Sequence, residues 1–509
     1  MRRASRLVVG GMLLSASVAS AAGFYFGEAG TKALLQGGAF VGQADDMSAA
    51  MHNPAGLAQL RGFHFLADVQ LMNHAVTFWR MDPGFDVNNP QSPANPVSNQ
   101  GGIFISPFFG AGYNFSELGN KLTVGWALYG PPSVGRYIFP EVSFDDEGKY
   151  TGNPRKLSPQ RYSFLSNDIK ILFHTISLAY APHPKVMFGV SLQVVSSTFK
   201  LSRALYSGLS EPKRQGDESP TFDSVVGLSL VGQPGFTFVA GVMAKPLNNL
   251  SIGLSLRPQV PIRAAGKLNI ALGEAARALN TTVSGDEAEL ALTLPLEFKA
   301  GVRWMPTKHL GINADFVYQG WQSVSELTLT PKEVSITIGG GKPQTIGAVR
   351  IPKNWGYSLS GRLGASYDLG EWVTLHAGTF YETAASKDAY QSIEFLHFDR
   401  IFVTGGVTVH VGPVDILAGI SVTPAITKNI ADSEVRAGNT DASVPGHLVG
   451  MGQYTSGGFS IATGIRGHFG GPAKPAPLSP TESQGPASPP PPPTSDTPAD
   501  QTKPSAPGA

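Results

Sequence analysis

The amino-acid sequence predicts an all-β fold, a fourteen-stranded antiparallel transmembrane β-barrel. Three observations point to it. Side chains alternate with period two from about residue 63 onward, short turns alternate strictly with long polar loops, and no apolar run after residue 22 approaches eighteen residues. In a strand, successive side chains point to opposite faces, so period two marks a sheet between two different surroundings. The lack of a long apolar run excludes an ordinary helical membrane protein.

The alternation is plainest over Leu290 to Trp304. The even positions Leu290, Leu292, Leu294, Leu296, Phe298, Ala300, Val302 and Trp304 are all apolar; the odd positions carry Glu297, Lys299 and Arg303. The even face is expected to meet lipid and to end in an aromatic girdle, because strands this long with such a stripe fit a membrane wall better than a soluble sandwich. Fourteen segments repeat the pattern: 62–80, 101–115, 121–130, 168–182, 185–200, 234–246, 249–266, 289–305, 309–324, 354–369, 371–384, 399–411, 414–427 and 455–469. Turns near Ser116–Asn120, Pro182–Pro184, Leu247–Asn248, Pro306–Lys308, Gly370 and Gly412-Pro413 are short, and the connections between them are long, polar and rich in Gly and Pro. An even strand number with short turns at one end belongs to outer-membrane barrels. Lipid offers no backbone partners, so the first and last strands should pair. Within one long loop, GEAARALN (273–280) has the composition of a short helix or a single turn.

The termini read differently. Arg2, Arg3 and Arg6 precede an apolar stretch from Leu7 to Val18 and an Ala19-Ser20-Ala21 signal, the layout of a secretory leader over 1–21. Cleavage is expected after Ala21 or Ala22. Residues 471–509 are rich in Pro, Ser, Thr and Ala and should be extended and disordered, either a spacer that reaches the cell wall or an inert linker. The 509 residues carry a formal charge of +1 and no cysteine. That balance gives no support to nucleic-acid binding and leaves no thiolate metal site.

Between leader and first strand lies GFYFGEAGTKALLQGGAFVGQADDMSAAMHNPAGL, from Gly23 to Leu57. Its Gly23-Phe24, Glu28, Gly42, Asp45-Asp46 and Asn53-Pro54-Ala55-Gly56-Leu57, in that order, resemble the N-terminal hatch of the FadL-type outer-membrane transporters. Gly452-Gln453-Tyr454 before the last strand is similar to that family's closing element. The resemblance implies a hatch over 22–61 that plugs a barrel over 62–470, with Gly23, Phe24, Asp45, Asp46, Asn53, Pro54 and Ala55 in gating. It implies a monomer in the outer membrane of a Gram-negative bacterium, in contact with its lipid, that passively imports long-chain fatty acids or similar hydrophobic compounds without a cofactor. A relative specialised for aromatic hydrocarbons is the nearest alternative; a general porin and a structural barrel are the others, and Gly23–Leu57 argues against a porin. A lateral exit is implied at a kinked third strand. Here Tyr129-Gly130-Pro131-Pro132 ends strand 3 without the family's usual Phe-Gly, and Pro131 and Pro132 cannot donate to the ladder.

No enzymatic signature is present: there is no G-x-S-x-G elbow, Walker loop or H-E-x-x-H. His376, His410 and His468 are expected in the lumen, as polar residues of any such barrel are. The inward set is Arg257, Glu297, Lys299, Arg303, Asn313, Asp315, Gln319, Arg362, His376 and Arg466. A carboxylate in a dry pocket needs a cation with matching donors, which makes Arg303, Lys299, Arg257 and Arg362 the candidates to bind substrate. The same residues also suit a charge network that braces the wall.

Overall fold

The structure, a computed structural model, describes residues 28–92, 94–119, 121–131, 133, 135–139, 158–206, 212–437 and 446–470. The leader, Gly23, Phe24, Pro132 and the tail 471–509 lie outside the described residues.

Fourteen strands form a closed ring. They are β1 Gly62–Arg80, β2 Phe104–Asn114, β3 Leu122–Tyr129, β4 Ser166–His183, β5 Val186–Tyr206, β6 Gly235–Leu247 and β7 Leu250–Arg257, then β8 Leu296–Trp304, β9 Leu310–Gly320, β10 Ser358–Leu369, β11 Val373–Glu382, β12 Arg400–Val411, β13 Val414–Ile430 and β14 Gly452–Phe469. Each pairs antiparallel with its neighbours in chain order. β14 closes on β1, from Phe63 opposite Phe469 to Arg80 opposite Gly452. Closure leaves no open edge, as a lipid-embedded sheet requires. The outward face carries Ile252, Leu254, Phe316, Leu363, Ile420 and Ile461, all exposed, with Trp304, Trp372, Tyr180 and Phe469 near the short-turn end. An apolar surface of this extent is stable only against lipid.

Strands 6, 7 and 8 do not run straight through to the long loops. Each is broken at a proline and continued by an outer segment: Asp223–Gly232 before Pro234, Val260–Ala271 after Pro258, and Glu287–Leu294 before Pro295. Outer segments Glu326–Lys332 and Val349–Pro352 extend the same sheet. Facing reverses at the three breaks. In β8 the odd residues Glu297 and Lys299 are buried in the lumen, whereas in Glu287–Leu294 the even residues Ala288, Leu290 and Leu294 are buried. In β7 Ser255 and Arg257 point inward, but after Pro258 Val260, Ile262 and Ala264 do. Leu290, Leu292 and Leu294 therefore do not continue the lipid-facing stripe of Leu296 to Trp304 as the alternation predicts; they line the lumen. Proline has no N–H for the ladder, yet the register is kept across the breaks, from Arg257 opposite Glu297 to Val260 opposite Leu294, so neighbouring strands change phase together and exchange their faces; only against β5 does the pairing move by one residue. The outward residues beyond the breaks include the charged Arg263, Lys267, Glu287 and Glu289, all exposed, and Lys267 meets Asp286 at 2.8 Å. The breaks thus separate a lipid-facing belt from a water-facing collar whose apolar side is turned inward.

Smaller differences follow from local chemistry. The strand expected over 309–324 ends at Gly320 in a 3-10 turn, Trp321–Ser323, and that expected from 354 begins at Ser358. The loop helix at 273–280 forms over Glu274–Ala278.

Residues 28–60 fold inside the ring. Helix α1, Thr31–Leu35, lies against β12, β13 and β14. Helix α2, Ala49–His52, and the 3-10 turn Pro54–Gln59 lie against β3, β4 and β5 on the other side, so the segment spans the lumen. Asn53 is extended, as a residue before proline prefers, and its Oδ1 accepts from Ala55 N at 3.2 Å, which fixes the turn.

Candidate functional site

Wall carboxylates hold the hatch by its backbone. Asp68 of β1 accepts from Thr31 N at 2.6 Å, at the start of α1. Asp315 of β9 accepts from Phe40 N and Val41 N at 2.7 and 2.8 Å. Arg362 of β10 pairs with Glu28 and donates to Gly38 O at 3.2 Å, while Glu28 faces His52 Nδ1 at 3.8 Å. Such charge-assisted bonds are the stronger kind, and here they join residues far apart in the chain.

Asn53, Pro54 and Ala55 sit on a flat patch of wall. Asn53 Nδ2 donates to Val242 O and to Val41 O, each at 3.1 Å, and so ties β6 to the hatch. Beneath the turn lie Gly189 and Gly241. A Cβ on Gly189 would run into the backbone of Pro54, and one on Gly241 into the Asn53 carboxamide. Of the other two acidic residues of the motif, Asp45 pairs with Lys32 of the hatch at 2.7 Å, and Asp46 accepts from Ser48 N at 2.8 Å and faces Arg466 of β14 at 4.0 Å.

The four candidate basic residues face the hatch and the middle of the lumen. Lys299 pairs with Glu297 at 3.0 Å. Arg257 lies over the Phe173 ring at 5.7 Å. Arg303 donates to Asn313 Oδ1 at 3.5 Å and has no carboxylate within ion-pair distance among the described residues. None of the four lines the cavity described next.

A cavity lies elsewhere, against an interruption of the wall. β3 stops at Tyr129 opposite Phe173, and pairing with β4 resumes at Gly135, whose carbonyl accepts from Ile169 N at 2.7 Å, and runs on from Arg136 opposite Asp168. Among the described residues no strand pairs with Lys170 to Leu172 on that side. Gly130 and Pro131 lie in this interruption. Gly135, Tyr137, Ile169 and Ile171 border the cavity on this side, and Phe199, Leu292, Leu327 and Trp355 extend its apolar wall. The loop between β11 and β12 supplies Glu394, Phe395, Leu396 and His397. Just below, Phe108, Tyr129 and Phe173 stack across β2, β3 and β4 with centroids 5.3 and 5.4 Å apart. At the outer end Glu218 gathers Arg80, Arg161 and His447, at 2.5, 3.2 and 3.1 Å, and so ties four connections together.

The arrangement combines a closed barrel, a plug bound by wall carboxylates and an apolar cavity at a gap in strand 3. The family described as outer membrane protein transport protein (OMPP1/FadL/TodX) matches residues 12–451. The chain belongs to this family. Outer membrane protein P1 of Haemophilus influenzae is 29% identical over 229 residues, 43% of this chain and 46% of that protein, so the chain spans about half the length of the curated relatives it matches. A FadL homologue of Pseudomonas aeruginosa shares the fold with a TM-score of 0.68 at 15% identity, over 88% of this chain and 100% of that one. The toluene transporter TodX of Pseudomonas putida does so with a TM-score of 0.60 at 13% identity, over 88% and 99%. This member of the OMPP1/FadL/TodX family is an outer-membrane barrel of a Gram-negative bacterium.

Sequence reasoning did not reach the residues of the family member's cavity. Glu394, Phe395 and His397 lie in a loop without periodicity, and the inward turn of Leu292 is hidden by the phase slip at Pro295. For the hatch seat a signal exists: Gly189 and Gly241 sit opposite each other in β5 and β6, both on inward positions.

Proposed function

We propose that this barrel passively carries small hydrophobic molecules from the cell exterior into the outer membrane. The molecule enters the apolar cavity in the outer half of the lumen and leaves sideways through the interruption between Tyr129 and Arg136, while the hatch stays seated. The observation that carries this reading is the contact of the cavity with the interruption: Ile171 lies within it, the bonded Gly135 and Ile169 close its outer end, and all three line the cavity. A hydrophobic guest that exits there passes directly into lipid and never meets the polar hatch bonds below. Family membership supports the same class of cargo, as do the similar folds of a toluene transporter and a monoaromatic hydrocarbon channel.

Fatty acids form a second reading of the cargo, favoured by Arg303, which has no carboxylate partner among the described residues and is suited to receive one. Uptake of labelled toluene and labelled oleate by cells that lack their own transporter, with and without this protein and beside a hydrophilic dye, tests both. Uptake of either without dye entry is expected; dye entry without a gain for toluene or oleate overturns the proposal.

A further inference from the structure

His397 is buried, 2% exposed, at the wall of the cavity. Its backbone is clamped by Gln391, whose carboxamide donates to His397 O and accepts from His397 N at 3.2 Å. Trp355 packs edge-on at 5.4 Å. The ring is therefore held in place, yet among the described residues neither Nδ1 nor Nε2 has a hydrogen-bond partner. Glu394 lines the same cavity: Oε1 accepts from Lys353 Nζ at 2.6 Å, and Oε2 is buried with no partner among the described residues. Buried polar groups are nearly always hydrogen-bonded, and an unmade bond costs the full desolvation of the group. Three orphaned atoms at one cavity are a recognition surface that awaits its guest.

The three atoms specify the guest's head group. Burial, with Arg400, His74 and Lys353 nearby, holds the His397 imidazole well below the usual histidine range. A neutral imidazole offers one N–H donor and one acceptor, and Glu394 Oε2 offers a further acceptor. A hydroxyl donates and accepts, so one such group can accept from the His397 N–H and donate to Glu394 Oε2, which leaves a single unmade bond at the second ring nitrogen. A carboxylate only accepts; it would face the Glu394 charge, and Lys353 and Arg400 already pair with Glu394 and Glu382 at 2.6 and 2.8 Å. A bare hydrocarbon leaves all three atoms unpaired.

We infer that this cavity is built for a neutral hydrophobic molecule that bears a hydroxyl group, an alkanol or a phenol, with the hydroxyl at His397 and Glu394 and the apolar body along Ile171, Phe199 and Leu292. This rests on the transport reading above and narrows its substrate class.

Two matched series test it on the full mature chain in lipid nanodiscs, with empty nanodiscs as the reference for partition: toluene, p-cresol and p-toluate, and octane, 1-octanol and octanoate. Binding is read by calorimetry near neutral pH. At least one hydroxyl compound is expected to bind about tenfold tighter than both partners of its series, the gain of pairing a buried donor and acceptor, and the series that shows it identifies the skeleton. His397→Leu should bring the hydroxyl compound down to the hydrocarbon and leave the hydrocarbon unchanged; His397→Gln, which keeps a donor and an acceptor, should restore part of the preference. Equal binding across each series, as for a site that holds only water, overturns the inference and leaves transport standing, as does a hydroxyl preference that survives His397→Leu. If no compound binds, the transport reading falls with it.

Discussion

Glu28 of the hatch and Arg362 of β10 form an ion pair between plug and wall, each side chain only 3% exposed. They are 334 residues apart in the chain, so the pair closes one of the long loops that hatch docking has to close. Removal of one partner leaves the other as an uncompensated buried charge, which costs about 3–5 kcal/mol. Arg362→Met is therefore expected to unseat the hatch and let a hydrophilic dye leak from proteoliposomes. Addition of Glu28→Gln to that variant should reduce the leak. The heat-modifiable gel mobility of the barrel should not change, because no ladder bond is touched.

The seating of Asn53 offers a direct test of the exit route. Its Cγ lies 3.2 Å from the position a Cβ on Gly241 would occupy, which suits a disulfide in the Asn53→Cys/Gly241→Cys variant. The chain has no other cysteine to compete. Toluene uptake should be the same with the bridge oxidised or reduced. Uptake that stops on oxidation and returns with a reductant would place the exit through the hatch.

Strand 7 and its continuation carry outward residues on both sides of Pro258, and these should differ sharply in their tolerance of charge. Leu254 is outward and 46% exposed within the belt; Leu254→Arg is expected to cost about 2–4 kcal/mol of barrel stability, as a charge moved into lipid does. Ala265 is outward and exposed in the collar, and Ala265→Arg should stay within about 0.5 kcal/mol. Denaturant titration in liposomes, read by gel mobility, measures both. Equal costs would mean that the collar also sits in lipid.

Leu292 narrows the cavity from the outer segment Glu287–Leu294. Leu292→Trp fills the space a guest needs and should lower uptake by about tenfold, since overpacking costs on the order of 1–3 kcal/mol. Expression and heat-modifiability should match the parent chain.

The barrel was legible because lipid on one side and a polar lumen on the other write period two into every strand. The reversal of facing was not. Leu294 and Leu296 fall on the same parity on either side of Pro295, so the alternation reads straight through a change of facing that only the burial of the two segments reveals. The turn at Asn53-Pro54 could be read from its own residues, but its seat could not be read in the same way, since a glycine in a strand carries no period. The inward direction of Arg362 was readable from parity; its commitment to Glu28 was not, because that partner comes from the other end of the chain. His397 lies in an irregular loop, where nothing in the sequence tells which way a side chain points.

The row of prolines at 234, 258 and 295 has a consequence for how such a protein diversifies. Below it, side chains are constrained by the thickness and chemistry of the bilayer; above it, the continuation of strand 8 lends Leu292 and Thr293 to the cavity, and the outward residues of the collar face water. Because the two halves meet at a change of phase, replacements in the collar alter the shape of the cavity without changing the energy of insertion. Specificity and membrane residence are thus encoded in separate stretches of one polypeptide, and an exchange of collars between relatives, joined at these three prolines, would carry a binding preference into a barrel that already folds.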